Sequence, residues 1–129
     1  MTMNNSKKAE WILRIGIFGT FLGHGIFALQ LKPRFIEMLT AFIGVTGTLA
    51  NNLMYLIGAI DVIVGIFALF YPMRLVLIYA SVWGFLTALA RPIANDPIWD
   101  FVERWANWAA PLALLYLRGL PKKFKDLFN

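Results

Sequence analysis

Four apolar stretches, Trp11 to Leu31, Leu53 to Phe70, Leu75 to Ala90 and Trp99 to Leu120, take up most of the 129 residues and leave little chain for anything else. Each comes close to the roughly 20 residues with which an α-helix crosses the ~30 Å hydrocarbon core of a bilayer. The composition, 60% hydrophobic with a mean hydropathy of +0.67, exceeds what a soluble domain of this length carries. The pattern predicts an all-α integral membrane protein, a single domain over residues 1–129 built as an antiparallel four-helix bundle. The second and third stretches are the short ones and are expected to run near the membrane normal.

A net charge of +5 and a pI near 9.8 raise the question of nucleic acid, and the distribution of the charges answers it. Lys7, Lys8 and Arg14 precede or open the first stretch, Arg74 sits in the link between the second and third, and Arg118, Lys122, Lys123 and Lys125 follow the fourth. Four alternating crossings bring all three regions to one side. On the other side Lys32, Arg34, Arg91 and Arg104 are matched by Glu37, Asp96, Asp100 and Glu103. The positive-inside rule then puts both termini in the cytoplasm, with the chain in a bacterial-type inner membrane and the basic tail against anionic lipid headgroups. No basic and aromatic interleaving outside the membrane supports nucleic-acid binding.

The N-terminal run is too long for the apolar part of a signal peptide and is read as a retained first helix. With no cysteine, the chain offers no disulfide, thiol nucleophile or iron–sulfur ligand of its own, and no metal site is expected. Boundaries are expected at Asn51-Asn52 as caps before the second stretch, Pro72 at its end, Asn95-Asp96-Pro97 as a cap and first-turn proline before the fourth, and Gly119 and Pro121 at its end. In the long connection from Lys32 to Asn52, Phe35, Ile36, Leu39, Phe42 and Ile43 share one helical face. A short interfacial helix is predicted there, followed by a loop over Gly44 to Thr48, either covering the outer mouth of the bundle or lying on the headgroup surface. Gly16, Gly19, Gly23 and Gly25 are expected to permit close helix packing, Gly19 and Gly23 as a small-xxx-small pair, with Gly58 and Gly65 serving the second stretch.

Polar residues inside such stretches are costly and therefore mark sites. Counted inward from the outer boundary, His24, Asp61, Trp83 and Asn107 fall about 10 to 12 Å deep at 1.5 Å per residue, one layer drawn from four helices. Pro111 has no N–H for the carbonyl of Asn107, which adds a free acceptor and a kink there. Above the layer, Thr87, Arg91, Glu103 and Arg104 with Trp105 and Trp108 describe a polar, aromatic-walled vestibule. His24 and Asp61 are also readable as a structural pair joining two helices, Trp99 as an interfacial belt residue, and Arg91, Glu103 and Arg104 as a boundary ion-pair cluster.

Arg14-Ile15-Gly16 followed by Phe21-Leu22-Gly23-His24-Gly25, the run Gly58-Ala59-Ile60-Asp61 with Gly65 beyond it, and Arg74 resemble the DoxX family of small four-helix membrane proteins. Glu103 to Trp108 with Pro111 to Leu115 is similar to a DoxX-like subgroup, so the resemblance spans nearly the whole chain. Family members often carry glutamate where this chain has Asp61. The resemblance implies a link to quinone-reducing chemistry, and with it a quinone-associated redox protein or quinone-linked oxidoreductase subunit. In that reading His24 and Asp61 are the catalytic, proton-handling pair, and Trp83, Thr87, Arg91, Glu103, Arg104, Asn107 and Trp108 bind the headgroup. A quinone is then the cofactor, and a redox partner subunit has to supply electrons; self-association into a homo-oligomer stays open. The alternatives are a protein that binds or transports a lipid or small amphiphile, and a structural subunit whose polar layer only fixes helix register.

The charge pattern makes a topological prediction. Cysteines introduced at Ser6 and Asn129 should resist a membrane-impermeant thiol reagent in intact cells, while one at Asn95 should react. Labelling of the first two from outside reverses the orientation.

Overall fold

A computed structural model describes residues 2–129, all of whose regular structure is helical. Helix α1 covers Asn5–Leu29, α2 Pro33–Ile43, α3 Gly47–Phe70, α4 Arg74–Ile93, α5 Ile98–Val102 and α6 Ala106–Arg118, and a 3₁₀ turn spans Phe124–Phe128. Three of them, α1, α3 and α4, are long and apolar enough to cross a membrane. Their outward faces carry Ile12, Ile15, Ile26, Leu56, Ile63, Phe70 and Val82, a surface suited to lipid.

The helices alternate in direction around two backbone contacts. A Cβ on Gly25 would lie 3.0 Å from the Gly58 carbonyl oxygen, and one on Gly58 would lie 2.9 Å from that of Gly25, so α1 and α3 touch through bare backbone. Seven residues further along α3, Gly65 meets the Phe18 carbonyl at 3.4 Å, the same antiparallel register continued. Gly16, Gly19 and Gly23 meet nothing within 4 Å, so the Gly19–Gly23 pair expected to mediate packing lies off the helix contact. The second contact joins α4 to α6. A Cβ on Gly84 would be 2.5 Å from the Asn107 carbonyl oxygen, the very acceptor that Pro111 leaves without a helical donor. Glycine lets the two backbones meet there. To one side of both contacts, toward the starts of α1 and α4, lies the main core of Ile17, Phe21, Val64, Ala68, Leu77, Ala80, Leu114 and Leu115.

One end of the bundle is closed by arginines donating to helix-terminal carbonyls, groups that have no partner within their own helix. Arg14, buried and stacked 3.9 Å from the Trp11 ring centroid, gives Nε and Nη2 to the Leu69 carbonyl at the end of α3. Arg74 gives Nε to Gly119 O and Nη2 to Arg118 O at the end of α6, and Nη1 to Asn129 O. Arg118 in turn pairs with Glu10 at 3.1 Å. The residues expected to set topology by charge thus also fasten the start of α1, the end of α3, the start of α4 and the end of α6 to one another.

Several expected boundaries shift. Helix α3 begins at Gly47, so Asn51 and Asn52 are exposed positions within it rather than caps. Asn95 adopts a left-handed φ of 72° after α4, and Asp96 pairs with Arg34 instead of capping α5, whose N-cap is Pro97. The stretch from Trp99 to Leu120 is not one helix. It breaks at Glu103 to Trp105, where Arg104 N bonds Phe101 O while the Arg104 side chain takes the Asp100 carbonyl that a continuous α-helix would use. Helix α6 alone, 13 residues, measures about 20 Å.

The two backbone contacts make a paired prediction. Gly58→Ala and Gly84→Ala should each destabilise by about 1–3 kcal/mol, since a methyl there must displace backbone. Gly19→Ala should be neutral or stabilising by up to about 1 kcal/mol, because it removes a flexible residue from a helix interior into open space. Thermal unfolding in one detergent checks all three, and equal losses would remove the basis for the α1–α3 register.

Candidate functional site

At the end opposite the arginine clamps, α1, α2, α3 and α4 enclose a cavity of about 270 Å³. Helix α2 forms one wall with Phe35, Met38, Leu39 and Phe42. It is held in place by Arg34, which donates to the Ala94 carbonyl and pairs with Glu37 and Asp96. Pro33 in its first turn and left-handed Gly44 after its last residue set its limits, and Thr40 Oγ1 donates to Val45 O across the turn. Helix α3 adds Leu53, Met54 and Ile57, and α4 adds Leu86 and Ala90. These walls are apolar.

Five of the polar residues singled out in the sequence interrupt them: His24, Asp61, Trp83, Thr87 and Arg91. The Gly25–Gly58 contact places the first two. In its register His24 stands level with Ala59, and Asp61 with Leu22, an axial offset of two residues or about 3 Å. Their directions differ. The His24 ring meets the Phe35 ring edge-on at 5.9 Å, whereas the Asp61 carboxyl lies beside the Trp83 indole, which stacks on Tyr79 at 6.2 Å. No hydrogen bond or ion pair joins His24 to Asp61 among the described residues. They share a cavity without forming the direct pair that their depth suggested.

Asp61 is 4% exposed, and its Oδ1 has no hydrogen-bond partner; neither does the buried Nε1 of Trp83, although the indole is near enough to act on the carboxyl. A buried acceptor and a buried donor therefore lie side by side on an apolar cavity, near enough to act on each other but without hydrogen-bond geometry between them. A buried polar atom without a partner costs about 1–3 kcal/mol. Native proteins keep few of them, so each calls for a physical account. The Thr87 hydroxyl is already spent on the Gly84 carbonyl at 3.2 Å.

The remaining residues stand elsewhere. Asn107 shares the depth of Trp83, since its carbonyl meets Gly84, but it lines a separate crevice between α1 and α6 with Gly16, Thr20 and Pro111. Glu103 and Arg104 pair with each other at 2.7 Å at the α5–α6 break. Trp108 and Trp105 belong to an aromatic row with Phe85 and Phe101, centroids 5.6–6.4 Å apart. What the sequence reading omitted is the contribution of Met38, Leu53, Met54 and Ile57, apolar residues whose only signal was a helical face left without another partner. The chain matches no protein-family model, no curated protein and no solved structure.

A buried carboxyl and indole without hydrogen-bond partners are a cost to the fold. Asp61→Leu should therefore stabilise the delipidated chain by about 1–3 kcal/mol, because it removes the unpaired group. His24→Ala and Asp61→Leu should combine nearly additively, within about 0.5 kcal/mol, as expected of side chains without a shared bond. Loss of stability in Asp61→Leu would mean that the carboxyl has a structural partner.

Proposed function

We propose that the chain is an integral membrane protein whose cavity binds a small amphiphile, with Asp61 and Trp83 holding the polar group and α2, α3 and α4 holding the apolar part. The observation that carries this is the pair of buried, unpartnered atoms, Asp61 Oδ1 and Trp83 Nε1, on an otherwise apolar cavity. A few convergent polar groups in an apolar wall are what orients a small ligand. A hydroxyl suits them best, because it donates to the carboxyl while accepting from the indole. In this reading α5 and α6 together complete a fourth crossing, giving an antiparallel four-helix membrane bundle with α2 at the outer interface. The arginine-clamped end then faces the cytoplasm of a bacterial-type inner membrane, in keeping with the charge rule.

A second reading, placement among the DoxX-like proteins with a quinone-linked redox role, draws on the resemblance and on the same two atoms. The hydroxyl of a reduced quinone fits the donor and acceptor together, and Asp61 is positioned to take up or return its proton. Such a role needs electrons from a partner subunit.

Titration of the purified protein with a quinone analogue and with single-chain lipids, followed by thermal unfolding, tests both readings. A ligand at a hundred times its dissociation constant should stabilise the fold by about 2.7 kcal/mol. Asp61→Asn and Trp83→Phe should diminish that shift. Asn107→Ala and Lys123→Ala should leave it unchanged, since one lies in the other crevice and the other in the basic tail. A saturable shift with lipids but not quinones favours the first reading, the reverse favours the second, and no saturable shift with either contradicts both.

A further inference from the structure

Arg91 lies near the end of α4, 8% exposed, on the wall of the same cavity. Its guanidinium keeps its charge inside proteins and carries five N–H donors. Each of the chain's other arginines has a partner: Arg14 and Arg74 helix-terminal carbonyls, Arg34 Asp96 and Glu37, Arg104 Glu103, and Arg118 Glu10 through Nη1, although Arg118 Nε is left unpaired. Among the described residues Arg91 donates to nothing and forms no ion pair, and its Nε is buried without a partner. Its nearest aromatic neighbour is the Phe35 ring, 5.7 Å from the guanidinium carbon. Asp96 and Asp100 are the closest carboxylates, Asp96 already engaged by Arg34 and Asp100 beyond ion-pair distance. The other charges in range, Arg34 and Arg104, are cationic.

Burying a lone charge is costly unless something pairs with it, and the planar fork of a guanidinium matches a carboxylate or a phosphate. Trp83 and Arg91 are eight residues apart on α4, about 12 Å along the axis, with Leu86 and Ala90 between them. At about 270 Å³ the cavity is just below the roughly 300–1,000 Å³ of sites for drug-sized ligands, room for one chain or ring rather than a two-tailed lipid.

We infer that Arg91 anchors an oxyanion, carboxylate or phosphate, at one end of a single-chain amphiphile whose other end reaches Asp61 and Trp83. The inference rests on the amphiphile-binding reading and makes the occupant two-ended: an anion at Arg91, a hydroxyl at the Asp61 pole, and an apolar body between.

The test is isothermal titration of the full chain in a neutral maltoside detergent with three probes: ω-hydroxydecanoate, decanediol of the same chain length, and inorganic phosphate. The hydroxy acid should bind saturably and the diol about tenfold or more weakly, as the loss of a charge-assisted hydrogen bond requires. Arg91→Gln should bring the two probes to the same affinity, and Arg91→Lys should restore part of the preference. If Arg91→Gln does not fold, the preference of the parent protein decides alone. Equal affinity for acid and diol in the parent overturns the anion anchor and leaves the amphiphile cavity standing. Binding of neither overturns the amphiphile reading itself. Phosphate binding as tightly as the hydroxy acid makes Arg91 a site for a free anion and overturns the two-ended ligand.

Discussion

The backbone contact of Gly25 with Gly58 decides where much of the rest can stand. Two helices that meet through glycine lie close together and in fixed register, and the residues flanking the contact are thereby aimed. His24 precedes one glycine and Asp61 follows the other by less than a turn, so the contact that joins α1 to α3 also delivers both polar residues to the same level. Helix α4 is fixed in turn by Gly84 against the Asn107 carbonyl, and Trp83 and Thr87 follow from that. Helix α2 then fills the gap left at this end of the bundle.

The two ends of the bundle treat polar groups in opposite ways. At one, Arg14 and Arg74 spend their donors on the last carbonyls of α3 and α6, and a cation near a helix C-terminus is favourable in any case. At the other, Asp61, Trp83 and Arg91 line an apolar cavity, each with one buried atom, Oδ1, Nε1 and Nε, that has no hydrogen-bond partner. Among the described residues three of the buried unpartnered atoms, on Asp61, Trp83 and Arg91, belong to residues lining one cavity, whereas the clamped end leaves Arg118 Nε alone in that state.

Depth was legible in the sequence and direction was not. Counting residues inward from each boundary placed His24, Asp61, Trp83 and Asn107 at one level, and the glycine contacts do bring them close in height. Depth along a helix follows from a fixed rise per residue, whereas azimuth depends on which face packs against which neighbour. So Asn107 turns to the α1–α6 crevice, and Trp108 to the aromatic row. Small-residue spacing misled for the same reason: Gly19 and Gly23 have the right separation, but Gly25 is the one on the contact face. The break between α5 and α6, where Arg104 bonds the backbone carbonyl of Asp100, is one that a count of apolar residues does not register. The amphipathic α2 was legible because its apolar face repeats at helical period; the cavity behind it required the positions of three other helices.

If the cavity binds an amphiphile, as proposed, mass spectrometry of the protein released intact from mild detergent should detect it. One small amphiphile per chain should be retained by the parent protein. It should be absent from Ala90→Phe, in which a ring fills the space between Arg91 and Trp83. A parent chain that retains no amphiphile, or the same molecule retained at the same stoichiometry by Ala90→Phe, would rule out a ligand in this cavity.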